Sequence, residues 1–516
     1  MCLQIVRYSA AVLENLGALG WNRPIIMGKT VAKGALPLLV DAMKLHAKLV
    51  ATVLRAIKAM RNLATDPGPA REILNAGVMQ LVGNAMTTHR ESLATQIAAC
   101  ELSQRMTSAR CDTDGDAAAT TTKHTVQAIV AGMAAYGESQ ELLSVGLRVL
   151  WHCATGERNR DPIIVKGAIP VILSALGTHE MHEDIQHFGL ATLALLSSSA
   201  DGRRGIVVDT ALRLVLAAIA RHPQHRGVQV EGCTCARWFT EDARNRGMAA
   251  AAGTVGVVCG AMDRAPSDDI DVCSQSMFAL GNLCLEASAL PLAQEQGAVA
   301  IAPRCMMAHA SAAVVQTAGL QLMASLASNS VEMREALAAA GAIGAMTAAV
   351  TAHASNLSVY QQAVRVLARM SVDEVHREAC ATFVPAVVAG MAAAKEDATA
   401  LGCVIAFLNQ LVLEARFRIV VAGAGGAQAL ISAMQPHLTV VEILRGACSA
   451  VTALLRDDAT SVSTRGVVAR ADNMIIITSA GAIVSEQVRI LQAALEAVMV
   501  APTSVSVATQ SKTKKK

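Results

Sequence analysis

The chain has 516 residues, 53% of them hydrophobic, yet holds only three Trp, three Tyr and six Phe, with a formal net charge of +3. So much apolar side chain excludes a disordered polymer. Charges and turn residues interrupt every apolar segment well before 18 positions, which excludes a membrane-spanning helix, and near-neutral charge with few aromatic platforms argues against nucleic acid.

Thirteen cysteines without Cys-x-x-Cys spacing point to a reducing compartment, cytosolic or nuclear, with neither a disulfide framework nor a zinc site. Residues 1–33 lack a signal-peptide layout and read as the last part of a leading repeat. From Gly34 onward one pattern recurs. Its anchors are Gly34, Gly77, His124, Gly167, Thr210, Gly253, Gly297, Gly341, Phe383 and Gly425, spaced 42–47 residues apart. A steady period of this length marks stacked units, none of which can bury its apolar face alone.

Each unit reads as three helices. A short one, as in 159–166, ends at the anchor glycine. A second follows, with Ile169, Ile172, Leu173 and Leu176 at helical spacing. The third is longer, and two of its columns are apolar in every unit. One runs Ile57, Cys100, Leu147, Leu190, Cys233, Met277, Leu320, Val364, Ile405 and Cys448; the other starts at Leu63 and ends at Leu454. The residue before the first column is small in nearly every unit, as at Gly146, Gly189, Gly232 and Gly319, which predicts close helix approach. Insertions are expected at 107–123 and 456–472, a capping helix at 481–500, and a disordered basic tail at 501–516.

Arg61-Asn62-Leu63-Ala64, Gly281-Asn282-Leu283, Asn159-Arg160 and Gly167-Ala168-Ile169-Pro170 together resemble the armadillo repeat over about residues 1–500. The resemblance implies an all-α fold: a right-handed alpha-alpha superhelix, an armadillo-type solenoid of about ten three-helix repeats over 34–480. It implies a concave groove lined by third helices, with protein partners, and no enzymatic activity or cofactor.

Candidate sites divide into weak and strong. Seven histidines recur at one register position, where the second helix ends: His46, His89, His179, His222, His309, His353 and His437. Helix spacing of about 8–10 Å is too wide for equivalent histidines to share an ion. The column therefore reads as second-helix C-termini, where imidazole meets free carbonyls. Cys111-Asp-Thr-Asp-Gly-Asp116 resembles a calcium loop but has Ala117 and Lys123 where Gly and Glu are needed. Gly28-Lys29-Thr30 lacks the strand and first Gly of a phosphate loop. No residues converge as a catalytic, metal or cofactor site.

The groove is read from an i,i+4 pair on each third helix, the register of Lys58 and Asn62, together with its neighbours. It comprises Lys58, Arg61, Asn62, Arg105, Arg148, His152, Arg237, Trp238, Phe278, Asn282, Gln321, Arg365, Arg369 and Gln410. Its charge is mainly positive, and Trp and Arg commonly anchor interfaces. The expected function is a scaffold binding extended or acidic polypeptide segments. The alternatives are a nuclear transport adaptor of importin-alpha type, or a regulatory or ciliary armadillo protein. Importin-alpha pairs Trp with Asn one helical turn on in successive repeats, and Phe278/Asn282 is the nearest match here.

Overall fold

The computed structural model describes residues 35–493 except 65–66, 109–116, 207, 266–268, 329, 457, 482–485 and 487. The leading partial repeat, the calcium-like loop at 111–116, Gly28-Lys29-Thr30 and the basic tail lie outside the described residues. Among those described there is no strand, and the chain is all-helical, built as an α-solenoid in two compact units, Met1–Arg264 and Ala265–Lys516.

In the first unit the third helices are Val50–Leu63, Leu93–Ser108, Gln140–Ala154, Glu183–Ser197 and Arg226–Glu241, each packed on the next. A parallel row of second helices runs from Ala35–Leu45 to Thr254–Arg264. In the second unit the third helices are Ile270–Leu283, Ala313–Ala327, Leu357–Met370, Ala398–Leu411 and Val441–Leu455, again stacked in order. Short and second helices meet at left-handed glycines such as Gly167, φ 78°, a conformation that a Cβ would strain. Among the described residues no single helix is long and apolar enough to cross a membrane. Three apolar pairs bent by 80°, 69° and 73° are the short and second helices of one repeat, each turning at its anchor glycine.

The predicted insertions take a different form. Residues 117–123 begin the helix Ala117–Ala135, which continues through the anchor position His124. Residues 456–472 hold Asp458–Val468, which packs on Ala415–Gly423, and begin Ala471–Gly481, which packs on Gly426–Met434. They follow the repeat pattern. The junction between them reads Ala469-Arg470, with no glycine to mark it.

Every residue of the two apolar columns is buried, from Ile57 to Cys448 and from Leu63 to Leu454. The small-residue column faces the second helix of its own repeat. A Cβ on Gly146 would lie 2.7 Å from Met133 Sδ, on Gly189 2.7 Å from Leu176 Cδ2, on Gly232 2.5 Å from Ile219 Cγ1, and on Gly319 2.4 Å from Met306 Cγ. The obstructing side chain occupies the same second-helix register each time, so the two columns are one repeated contact. Alanine gains about 1 kcal/mol of helix propensity over glycine, and the obstructing side chain decides whether that gain survives. Met133 is flexible, whereas Ile219 is β-branched and stiff. Gly146→Ala is therefore expected to leave stability within about 0.5 kcal/mol of the parent, while Gly232→Ala loses about 1–3 kcal/mol by overpacking. Equal denaturation midpoints for the two variants would refute this.

Polar side chains join repeat to repeat at both ends of the helices. His89, His179, His222, His353 and His437 each donate from Nε2 to a backbone carbonyl of the preceding repeat, at Ala47, Gly137, Glu180, Ala310 and Lys395, over 2.7–2.8 Å. The histidines do end the second helices, but the carbonyl each ring holds is not its own helix's. Those carbonyls go to a glutamine column: Gln186 Nε2 donates to Leu176 O and His179 O, and Gln96, Gln229 and Gln316 repeat the geometry. Each such bond satisfies an orphan helix-end acceptor.

At the other end, an arginine at the register of Arg160, preceded by Asn in two repeats, closes the third helix. Arg160 Nε donates to Ala154 O, Arg246 Nε to Thr240 O, Arg377 Nε to Ser371 O and Arg418 Nε to Val412 O. Two of these guanidiniums also reach the junction with the next repeat, Arg160 to Ser198 Oγ and Arg377 to Glu414.

Candidate protein-binding surface

The third helices that stack in each unit also set which of their side chains stay outside. Positions flanking the buried columns are half-buried by the neighbouring helix of the row, and most predicted groove residues fall there.

In the first unit most of the predicted cations are already engaged. Arg61 is ion-paired to Glu101 of the next third helix and bonded to Asn62 Oδ1 at 3.3 and 3.2 Å. Arg105 Nη1 donates to Arg61 O at 2.8 Å. Arg148 Nη2 donates to Asp184 Oδ2 at 2.6 Å, and its guanidinium lies 4.7 Å from the Phe188 ring centroid. Lys58 is half-buried beside them. The row behaves as a cross-braced ladder, because an arginine one helix along finds a carboxylate or carbonyl at the same height.

Aromatic side chains continue this row. Trp151 packs at a tilt against His152 at 4.6 Å and Phe188 at 5.5 Å; His187 stacks on Phe188 at 4.5 Å and lies 5.4 Å from His225. Burial, then the charge of Arg148, lowers the His152 pKa; burial, then His225, lowers that of His187. Both rings are therefore neutral at physiological pH and act as aromatic surface. On the following helix Trp238 carries the Arg237 guanidinium at 4.7 Å and the Arg203 guanidinium at 5.8 Å, within cation–π range. Burial lowers the Arg237 pKa, marking a guanidinium partly withdrawn from water.

A groove read only from the register of Lys58 and Asn62 misses Trp151, Phe188 and His187. They lie one turn away on the same face, and widening the stripe by i±3 and i±4 finds them.

In the second unit Phe278 is a correction. It is 9% exposed and packs into the core, because Ile270–Leu283 and Ala313–Ala327 pack closely enough to cover that position. Asn282 Oδ1 accepts from Gln321 Nε2 at 3.0 Å, a polar rung between these two helices, and Gln410 is half-buried farther along. Arg365 and Arg369 differ from the cations of the first unit. Arg365 Nη1 donates to Gln362 Oε1 at 3.4 Å and Arg369 Nη1 to Arg365 O at 3.2 Å. Among the described residues neither forms an ion pair. Burial, and next the charge of Arg365, lowers the Arg369 pKa.

Among the described residues no three His, Cys, Asp or Glu side chains gather as metal ligands would. A cleft of 430 Å³ is lined by Arg203, Arg204, Glu241, Asp242, Arg244 and Asn245 among others, and its charges are paired, Arg204 to Asp201 and Arg244 to Asp242.

No protein-family model matches the chain, and no curated protein matches its sequence. Among solved structures, an engineered protein is similar over 48% of this chain and 99% of its own, at 19% identity and a TM-score of 0.41. A chain from a structure described as "A conserved phosphorylation switch controls the interaction between cadherin and beta-catenin in vitro and in vivo" has a TM-score of 0.70 at 15% identity, covering 87% of this chain and 91% of that one. At such identity the likeness is one of fold: this chain is an all-helical repeat solenoid similar in architecture to that solved chain.

Proposed function

We propose that the chain is a non-enzymatic interaction scaffold that holds extended, acid-bearing polypeptide segments against its third-helix rows. The observation that carries this is the placement of scarce aromatics. Phe239, Phe278, Phe383, Phe407 and Phe417 are buried, and Tyr136 and Tyr360 spend their hydroxyls on the carbonyls of Arg90 and Val387. Trp151, Phe188 and Trp238 stay half-exposed on three successive third helices, Phe188 and Trp238 each beside a guanidinium and Trp151 against Phe188. Tryptophan and arginine are enriched among the few residues that dominate interface binding energy, and partly desolvated guanidiniums favour carboxylate partners. The solved chain of similar fold comes from a study of an interaction between two proteins, which agrees with this reading.

Fluorescence anisotropy with two labelled peptides of equal length, one rich in Glu and one rich in Lys, tests it. The acidic peptide is expected to bind, with affinity falling as salt is raised. Equal binding of both peptides, or binding of the basic one alone, would overturn the proposal and revive an importin-like role.

A further inference from the structure

The aromatic row of the first unit ends in two imidazoles. His187 stacks on Phe188 with ring centroids 4.5 Å apart, and the His225 ring lies 5.4 Å beyond. Gly227 makes room for this arrangement: a Cβ there would stand 2.6 Å from His187 Nε2, so the imidazole sits against the first turn of Arg226–Glu241. His225 is the N-cap of that helix, its Nδ1 accepting from Val228 N at 3.2 Å. The His187 ring remains half-exposed, next to the half-exposed Phe188.

Among the described residues, the charged and titratable groups that bear on His187 are Arg148, His225 and Asp184. Arg148, on the preceding third helix, holds its guanidinium 4.7 Å from the centroid of the ring on which His187 stacks. The start of Arg226–Glu241 presents the positive end of a helix. Asp184, one turn before His187 on its own helix, is the carboxylate that favours an imidazolium. It already accepts from Arg148 Nη2 at 2.6 Å and from Ser144 Oγ at 3.4 Å. The half-exposed ring is thus placed where positive charge is poorly compensated until a carboxylate arrives from outside.

We propose that His187 is a proton-linked contact for the partner, so that an acidic segment seated on this row brings a carboxylate to the imidazole and binds together with one proton. This step rests on the acid-bearing partner proposed for the same row. In the free chain burial, then His225, lowers the His187 pKa, with Asp184 opposing and Arg148 adding to the effect. A bound carboxylate raises it again, because an opposite charge within hydrogen-bond reach favours the charged ring. Between the free and bound values the complex holds more protons than the separated molecules, and affinity rises as pH falls. Uptake of one proton limits the gain to about tenfold per pH unit. Peptide glutamates, with an ordinary pKa of about 4.3, stay ionised across that window.

Anisotropy titrations of the full chain with the Glu-rich peptide, at constant ionic strength and at about pH 7.5 and about pH 6, read the effect. Binding is expected to be about fivefold tighter at the lower pH. His187→Phe keeps an aromatic ring against Phe188 but cannot titrate, and should bring the ratio of the two affinities below about twofold. His187→Gln makes the same comparison if the larger ring crowds Gly227 and unfolds the chain. Parent affinity that is equal or weaker at the lower pH, or a ratio unchanged in the folded variant, would overturn the proton linkage while the acidic partner stands. No binding of the peptide at either pH would overturn the acidic partner and the linkage with it.

Discussion

Asp373→Ala is expected to lower the free energy of unfolding by about 2–3 kcal/mol, the cost of stripping one partner from a part-buried, doubly hydrogen-bonded ion pair. Asp373 begins the repeat after that of Arg334, and Arg334 clasps it with two bonds, Nη2 to Oδ1 at 2.9 Å and Nε to Oδ2. The same guanidinium donates through Nη1 to Ala327 O at 3.1 Å, closing the third helix of the preceding repeat. With side chains only 11% and 14% exposed, solvent screens the pair weakly. Losing Asp373 leaves the Arg334 charge desolvated and its fork half empty.

The pH dependence has a definite direction. The hydrogen bonds from Arg334 are the main cause that holds the Asp373 carboxyl below the usual carboxylate range. A depressed folded-state pKa contributes stability that is complete above the unfolded value, about 3.9 for Asp, and lost as pH falls through the folded value. The stability gap between parent and Asp373→Ala should thus be constant near neutrality and shrink only below about pH 4. Chemical denaturation at several pH values measures it, and a gap under about 1 kcal/mol at pH 7 would place the pair among weak surface contacts.

The three-helix repeat was legible because burial acts on every unit alike. The columns through Leu147 and Leu283 are apolar for one reason each time, and Gly167 marks a turn only glycine makes easily. The glycine at 232 was legible as a close approach, although its partner Ile219 was not, since the partner depends on how two helices lie. Polar geometry was less readable. The sequence placed His179 at a helix end, but only the stacking of repeats brings its ring to Gly137 O, in the repeat before. For the same reason Arg61 and Arg148 looked like free groove cations. Their carboxylates, Glu101 and Asp184, sit on the next helix, at a distance that no periodicity reports.

That distinction separates two kinds of arginine by experiment. The double substitution Arg365→Glu with Arg369→Glu is expected to weaken an acidic peptide at least 100-fold, about 2.7 kcal/mol, with little change in melting temperature. Each guanidinium has five donor hydrogens. Arg365 spends one on Gln362, and Arg369 one on a single carbonyl. The nearby Asp397 carboxylate is already committed, accepting from Thr399 N and Ala400 N as a helix cap and from Gln361 Nε2 at 2.6 Å. Two half-buried cations at i,i+4 repel each other, and a peptide carboxylate relieves that repulsion while filling unused donors. Arg148→Glu should behave in the opposite manner. It sets a new carboxylate against Asp184 and removes the cation from the Phe188 face, so the loss appears in thermal stability. Anisotropy titrations paired with thermal melts read both outcomes. If the double variant stays folded and binds the acidic peptide as tightly as the parent, the second unit's cationic pair is not a contact for that peptide.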